Sequence, residues 1–307
     1  MNNSNAKQCP LCGSEHHVNQ EILSPIEINK LYSKSLGVED AIKTEYLSYL
    51  SCQNCGLGFF DPMETGGEDL YERLQAFDWY YMADKYEYAI AMKYLPAEGT
   101  VLEVGAGKAA FAEKVGVDRY TGLEFNDKAI ERAGKSGIRL IKQPVDAHAV
   151  DGYTYDAVVS FQVLEHVSDP AGFIRGCVQC LKPDGRLIFG VPAHDGFAGS
   201  SVNNILDMPP HHVTHWTGET LRKLAPLFGL ELLALDYEPV AKYHRPWAFN
   251  IVWEVRLRRF LGWPPCLLDR SLRAKLVSKI AAFLAKIAPI SVDALNGHTV
   301  IATYKRS

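Results

Sequence analysis

The 307-residue sequence has no apolar run long enough to cross a bilayer. The most hydrophobic C-terminal stretch, Ile280 to Ile290, is too short and contains Lys286 and Pro289. The N-terminus, MNNSNAKQCPLCGS, lacks the basic start and the apolar core of roughly 7–15 residues that an export signal needs. A cytoplasmic location is therefore expected. A strong charge of either sign is also lacking. The formal net charge of -4 gives no general attraction to a polyanion, so nucleic-acid binding would need a local basic patch. Internal repeats and low-complexity tracts are absent, which excludes solenoids and long flexible linkers. With 47% hydrophobic residues, the chain can bury one full α/β core and retain roughly 100 residues for additions.

Four of the seven cysteines form two pairs, Cys9-Pro-Leu-Cys12-Gly13 and Cys52-Gln-Asn-Cys55-Gly56. Two residues between thiolates let both sulfurs reach one tetrahedral ion, and the following glycine lets backbone amides turn toward them. In a chain without an export signal this spacing favours metal over disulfides. Residues 1–62 are thus expected to be a zinc-ribbon-like segment with Cys9, Cys12, Cys52 and Cys55 as ligands. Four protein ligands fill the sphere, so the zinc would be structural. The intervening residues carry a helix-like stretch near Ile26 to Leu36 and a strand-like one near Tyr46 to Leu50. Cys177 and Cys180 fall in a helical pattern and read as small core residues.

Residues 63–98 are rich in aromatics, among them Tyr71, Phe77, Trp79, Tyr80, Tyr81 and Tyr88. They read as a helical linker packed on the next domain, with Tyr80 or Tyr81 available to line a cleft. From Gly99 the chain alternates strand-like and helix-like pieces, which predicts a parallel sheet with helices on both faces. A core over residues 99–240 is expected, then helices over 241–296 and a final strand over 297–307. Ligands of such sheets bind at the carboxyl ends of the strands.

Val101-Leu-Glu-Val-Gly105-Ala-Gly107-Lys-Ala109 is an apolar strand entering a glycine-rich turn, where backbone can approach a ligand closely. A dinucleotide fingerprint prefers a third glycine, and Ala110 holds that position. Glu124 ends the next strand 19 positions after Gly105, the spacing at which a carboxylate accepts hydrogen bonds from ribose hydroxyls. An adenosine-containing cofactor is therefore favoured.

Tyr155-Asp-Ala-Val-Val-Ser-Phe-Gln-Val-Leu-Glu-His-Val-Ser-Asp-Pro170 and Leu181-Lys-Pro-Asp-Gly-Arg-Leu-Ile-Phe-Gly-Val-Pro192 resemble the fourth- and fifth-strand motifs of class I S-adenosylmethionine (SAM)-dependent methyltransferases. The resemblance covers roughly residues 100–235. With the paired cysteines, the chain resembles a bacterial group associated with polysaccharide or secondary-metabolite modification. The departures are Ala109, where the family usually has glycine, and Asp184 in place of the first glycine of LKPGG. The resemblance implies a Rossmann-like α/β fold and SAM as cofactor. It places Glu103, Gly105, Ala106 and Gly107 at the methionine end, Glu124 with Phe125 at the ribose, Asp146 and Ala147 at adenine, and Phe161 and Gln162 beside the sulfonium.

Methyl transfer needs alignment and, for many acceptors, removal of a proton. The candidate bases are His166 and the histidines of Pro209-Pro-His211-His212-Val-Thr-His215-Trp216-Thr217, with His211 or His212 preferred. A second metal held by these histidines is the minor alternative, and Thr217 reads as a helix N-cap. The expected acceptor is a small molecule or glycan precursor, most simply a hydroxyl. The alternatives are an RNA methyltransferase whose ribbon grips nucleic acid, and a non-catalytic SAM-binding interaction module. Between Arg245 and Lys286 nine Lys/Arg face two acids, a local charge of +7 that leaves about -11 elsewhere. Leu272, Leu276, Ile280, Phe283, Leu284 and Ile287 share a face of this basic helix. Such a helix packs on its own domain, attracts an anionic acceptor through Arg256, Arg258 and Arg259, or touches an acidic membrane surface.

Overall fold

The computed structural model describes residues 8–75, 84–288 and 290–306. Its strands are β1 (His17–Leu23), β2 (Leu47–Cys52), β3 (Gly58–Asp61), β4 (Val101–Val104), β5 (Tyr120–Leu123), β6 (Leu140–Ile141), β7 (Tyr155–Phe161), β8 (Leu181–Pro192), β9 (Thr214–His215), β10 (Leu230–Pro239) and β11 (Asn296–Arg306). The larger sheet has the order β10-β11-β8-β7-β4-β5-β6. Strands β4 to β8 pair in parallel, whereas β11 runs against both β8 and β10. A dinucleotide-binding sheet places its sixth strand beside its fifth. Here the last strand slots between them, giving the Rossmann-like methyltransferase arrangement.

The central strands are apolar on both faces because each face is covered. Alternate residues serve opposite layers: Leu102, Val158, Leu187 and Val300 enter one core, and Val101, Ala157, Ile188 and Ile301 the other. The helices begin where the sequence supplies caps. Asn126 accepts from the amide of Ala129, Asp169 from that of Gly172 with Pro170 in the first turn, and Thr217 from that of Thr220. Asp184 adopts a left-handed φ of 60°, a conformation aspartate tolerates where glycine is usual, and its carboxylate pairs with Lys305 at 2.6 Å.

The N-terminal segment does not close on itself. Its strands form the antiparallel sheet β1-β2-β3-β9, in which Gly58 opposes His215 and Phe59 opposes Thr214. Strand β1 had no clear sequence signal, since His17, Asn19, Gln20 and Glu21 break its apolar alternation. Between β10 and β11 lie the helices Arg245–Phe260 and Leu272–Ile287. The second packs through Ala274, Val277 and Ala281, not through its larger apolar residues. Tyr80 and Tyr81, with Phe77 and Trp79, lie outside the described residues.

Candidate active site

The turn after β4 is built for close approach. Gly105 has φ 80° and Gly107 φ 52°, and a Cβ added to Gly105 would stand 2.3 Å from Val163 Cγ2. Ala109, buried at φ 55°, occupies the left-handed region that costs a non-glycine residue roughly 1–2 kcal/mol. That backbone angle explains why glycine suits the position. The Glu124 carboxylate binds both turns together: Oε2 accepts from the Gly107 amide at 2.6 Å, and Oε1 from the Phe125 and Asn126 amides at 2.8 Å. Its remaining lone pairs suit ribose hydroxyls. Glu103 is buried and accepts from the Tyr120 hydroxyl, and burial pushes its carboxyl up to about 8.

These groups line one cleft of about 1420 Å³ together with Ala106, Phe125, Phe161 and Gln162. Gln162 sits at φ 56°, a left-handed conformation that turns the chain at the end of β7. Asp146 and Ala147, expected at adenine, are not among the residues that line the cleft. They belong to a helix, Val145–Val150, whose backbone lies against Gly176 of the neighbouring helix; the Asp146 amide nitrogen would be 3.1 Å from a Cβ there. Asn126, Ser136 and Ile138 line the cleft on the β5 and β6 side instead.

The other half of the cleft is lined by His166, His194, His211, His212 and Glu165, with Asp207 behind them. His166 and Glu165 come from the short turn after β7, and the remainder from the segment before β9. The Nδ1 atoms of three of these imidazoles are engaged: His166 with the carbonyl of His211 at 2.5 Å, His211 with that of Leu206 at 2.9 Å, and His212 with Asp207 Oδ1 at 3.2 Å. Each Nδ1 therefore carries the proton it donates, and each Nε2 is an acceptor. Glu165 Oε1 lies 3.6 Å from His166 Nε2 and 4.0 Å from His212 Nε2. Burial raises Glu165 to about 8 and lowers His166 to about 3. It also lowers His211 and His212, so these rings are neutral. At Asp207 burial is outweighed by His215, His194 and His212, which hold the carboxylate well below its usual range. His215 lies behind the cleft, with Nε2 2.9 Å from the Asp207 carbonyl.

Sequence reasoning missed Lys85, Glu87, Asp207, Glu238, Trp247 and His298, all lining the same cleft. Asp207 alone carried a signal, as an acid four residues before His211. Arg256, Arg258 and Arg259 do not line it. Arg258 is buried and bonded to Asp269 at 2.8 Å, so its charge is used internally.

Cys9, Cys12, Cys52 and Cys55 converge, with all four sulfurs within 4.8 Å of one another. The Cys9–Cys55 and Cys12–Cys52 separations are 3.5 and 3.6 Å. A tetrahedral ion with Zn–S near 2.3 Å requires edges of about 3.8 Å, whereas a disulfide needs about 2.05 Å. Gly13 and Gly56 take positive φ, and the Cys55 amide points at Cys52 Sγ at 3.5 Å. The donor set therefore fits zinc. Cys177 and Cys180 are buried in the core.

The family model described as "Methyltransferase domain" matches residues 72–235, more than half of the chain. The chain belongs to that family and is a SAM-dependent methyltransferase. It is similar to the ubiquinone biosynthesis O-methyltransferases of Yersinia enterocolitica and Serratia proteamaculans. Identity is 36% over 166 residues (47% of this chain and 68% of the relative) and 34% over 167 residues (48% and 69%), respectively. The aligned part spans about two thirds of the length of these relatives. A solved SAM-dependent methyltransferase from Archaeoglobus fulgidus superposes with a TM-score of 0.47 at 14% identity, covering 78% of this chain and 95% of that one.

Proposed function

We propose that this enzyme transfers the methyl group of SAM to a hydroxyl of a small-molecule acceptor held in the histidine-lined half of the cleft. The observation that carries this is the His212–Asp207 pair. SAM supplies an electrophilic methyl on a sulfonium, which leaves the protein to align the acceptor and hold its proton. His212 accepts the hydroxyl proton at Nε2, and Asp207 fixes the tautomer and stabilises the resulting imidazolium, the division of labour of an Asp–His pair in hydrolases. Relatives named O-methyltransferases support a hydroxyl acceptor.

Glu87, Glu165 and Glu238 face the same space, and all three are raised by burial. Carboxyls whose protonated form is favoured by burial can donate to as well as accept from a polyhydroxylated or phenolic acceptor. The four cysteines are proposed to hold a structural zinc whose role is to brace β3, and through it the histidine segment.

A screen of phenolic and nucleotide-sugar acceptors with SAM, followed on the best acceptor with His212→Ala and Asp207→Asn, tests the proposal. Both variants should keep S-adenosylhomocysteine affinity and lose kcat, His212→Ala by about 10²–10⁴-fold. Full kcat in His212→Ala would refute the assignment.

One observation favours a second reading of the same groups. With the Nδ1 atoms of His166, His211 and His212 engaged, one ring nitrogen of each lies within 4.8 Å of the others, and Glu165 adjoins the Nε2 atoms of His166 and His212. Three imidazoles oriented by their far nitrogens are a donor set for a divalent transition ion. Metal analysis showing one ion per chain beyond that lost in Cys55→Ser, and abolished in His211→Ala, would favour it.

A further inference from the structure

The helix Leu272–Ile287 presents its apolar stripe to solvent. Leu272 is 82% exposed, Leu276 59%, Phe283 60% and Ile287 61%, while the small residues Ala274, Val277 and Ala281 face the preceding helix. At about 100° per residue, Leu272, Leu276, Ile280, Phe283 and Ile287 occupy one narrow sector. Lys275, Lys279 and Lys286 flank it on one side and Arg273 on the other. The helix contains no acid, and its four cations form no ion pair among the described residues. At the end of the preceding helix Phe260 is 88% exposed, with Arg256 and Arg259 also exposed.

Solvent does not select such an arrangement, because exposing these side chains forgoes their burial. A second copy packed stripe to stripe would bring four further cations against the same four. An acidic lipid surface satisfies both features, since apolar side chains enter the acyl boundary while flanking lysines meet the headgroups. We infer that the helix Leu272–Ile287 docks this enzyme, lying in the plane of the interface, on membranes containing anionic phospholipid. The segment lies beyond the residues matched by the family model and forms its own surface. The inference stands independently of the acceptor chemistry. It adds a route for a membrane-borne acceptor, because Trp247, in the first turn of the adjoining helix, lines the cleft.

The test is sedimentation of the full-length, zinc-replete protein with phosphatidylcholine vesicles, with and without phosphatidylglycerol. The wild type should bind the anionic vesicles at least about tenfold more strongly than the neutral ones. Leu276→Glu/Phe283→Glu and Lys275→Glu/Lys279→Glu/Lys286→Glu should each abolish the difference, while S-adenosylhomocysteine affinity and melting temperature stay unchanged. Absence of binding to either vesicle, or equal binding by wild type and variants, would overturn the inference. So would a wild-type dimer that Leu276→Glu/Phe283→Glu turns into monomer, since a second copy would then cover the stripe.

Discussion

Replacing Cys55 by serine should uncouple turnover from cofactor binding, because the cysteine site touches the acceptor half of the molecule and not the SAM turn. Cys55 leads through Leu57 into β3, which pairs with β9; Phe60 donates its amide to the Val213 carbonyl at 3.1 Å, and Val213 donates to Glu165 at 2.9 Å. The cysteine cluster is thus tied by backbone bonds to both segments that supply the histidines. Structural zinc is worth about 10–16 kcal/mol in apparent binding to small finger peptides, comparable to the roughly 5–15 kcal/mol stability of a whole domain. Losing one ligand of four should cost several kcal/mol on that scale. It also puts at risk the burial of Leu57, Phe59 and Phe60, each worth about 1.5–3 kcal/mol. The expected result is zinc content falling from one per chain toward zero, a lower melting temperature, and kcat reduced about a hundredfold or more. The affinity for S-adenosylhomocysteine by calorimetry should change less than about threefold, since Gly105, Gly107 and Glu124 have no contact with the cysteine site. Retention of one zinc would refute the ligand assignment. Zinc loss with unchanged kcat would refute the bracing role.

Further outcomes follow from the same geometry. Glu124→Ala removes an acceptor from three backbone amides and, with Glu124 proposed to bind the ribose, from its hydroxyls as well, so S-adenosylhomocysteine affinity measured by calorimetry should fall at least about a hundredfold, with charged hydrogen bonds worth about 1.5–3 kcal/mol each. Gly105→Ala forces a Cβ to 2.3 Å from Val163 Cγ2 at a positive φ, and should lower the melting temperature and cofactor affinity together; unchanged values would mean the turn relaxes freely. Burial sets opposing pH dependences in the ligand-free protein. Glu103 and Glu165, raised to about 8, contribute stability that is full below their unfolded value near 4.5 and lost as pH rises through 8. His166 and His298, lowered to about 3 and about 4, contribute stability present above about 6.5 and lost as pH falls toward those values. Melting temperature should therefore decline between about pH 6.5 and 8, and Glu165→Gln should flatten that decline; an unaltered slope would remove Glu165 as a contributor.

Local chemistry was legible in the sequence wherever one short stretch carries it. The glycine turn after Val104, the carboxylate at Glu124, the cap at Thr217, and the two CxxC pairs each act over a few residues, so spacing alone reports them. The place of Asp146 and Ala147 was not legible, because whether a connection reaches the cleft depends on how it packs. Residues 145–150 form a helix against Gly176, and only tertiary packing chooses that over an open loop.

Four things were decided by tertiary structure alone. It brought Asp207, Glu165 and the histidines to one place, since they come from two segments some 40 residues apart that share no pattern. It set His212 at the cleft and His215 behind it, against the Asp207 carbonyl. It joined the N-terminal cysteine segment to the core through β3 and β9. And it turned the apolar stripe of Leu272–Ile287 outward: periodicity reports that a helix has an apolar face, but only the positions of its neighbours decide whether protein or something else covers it.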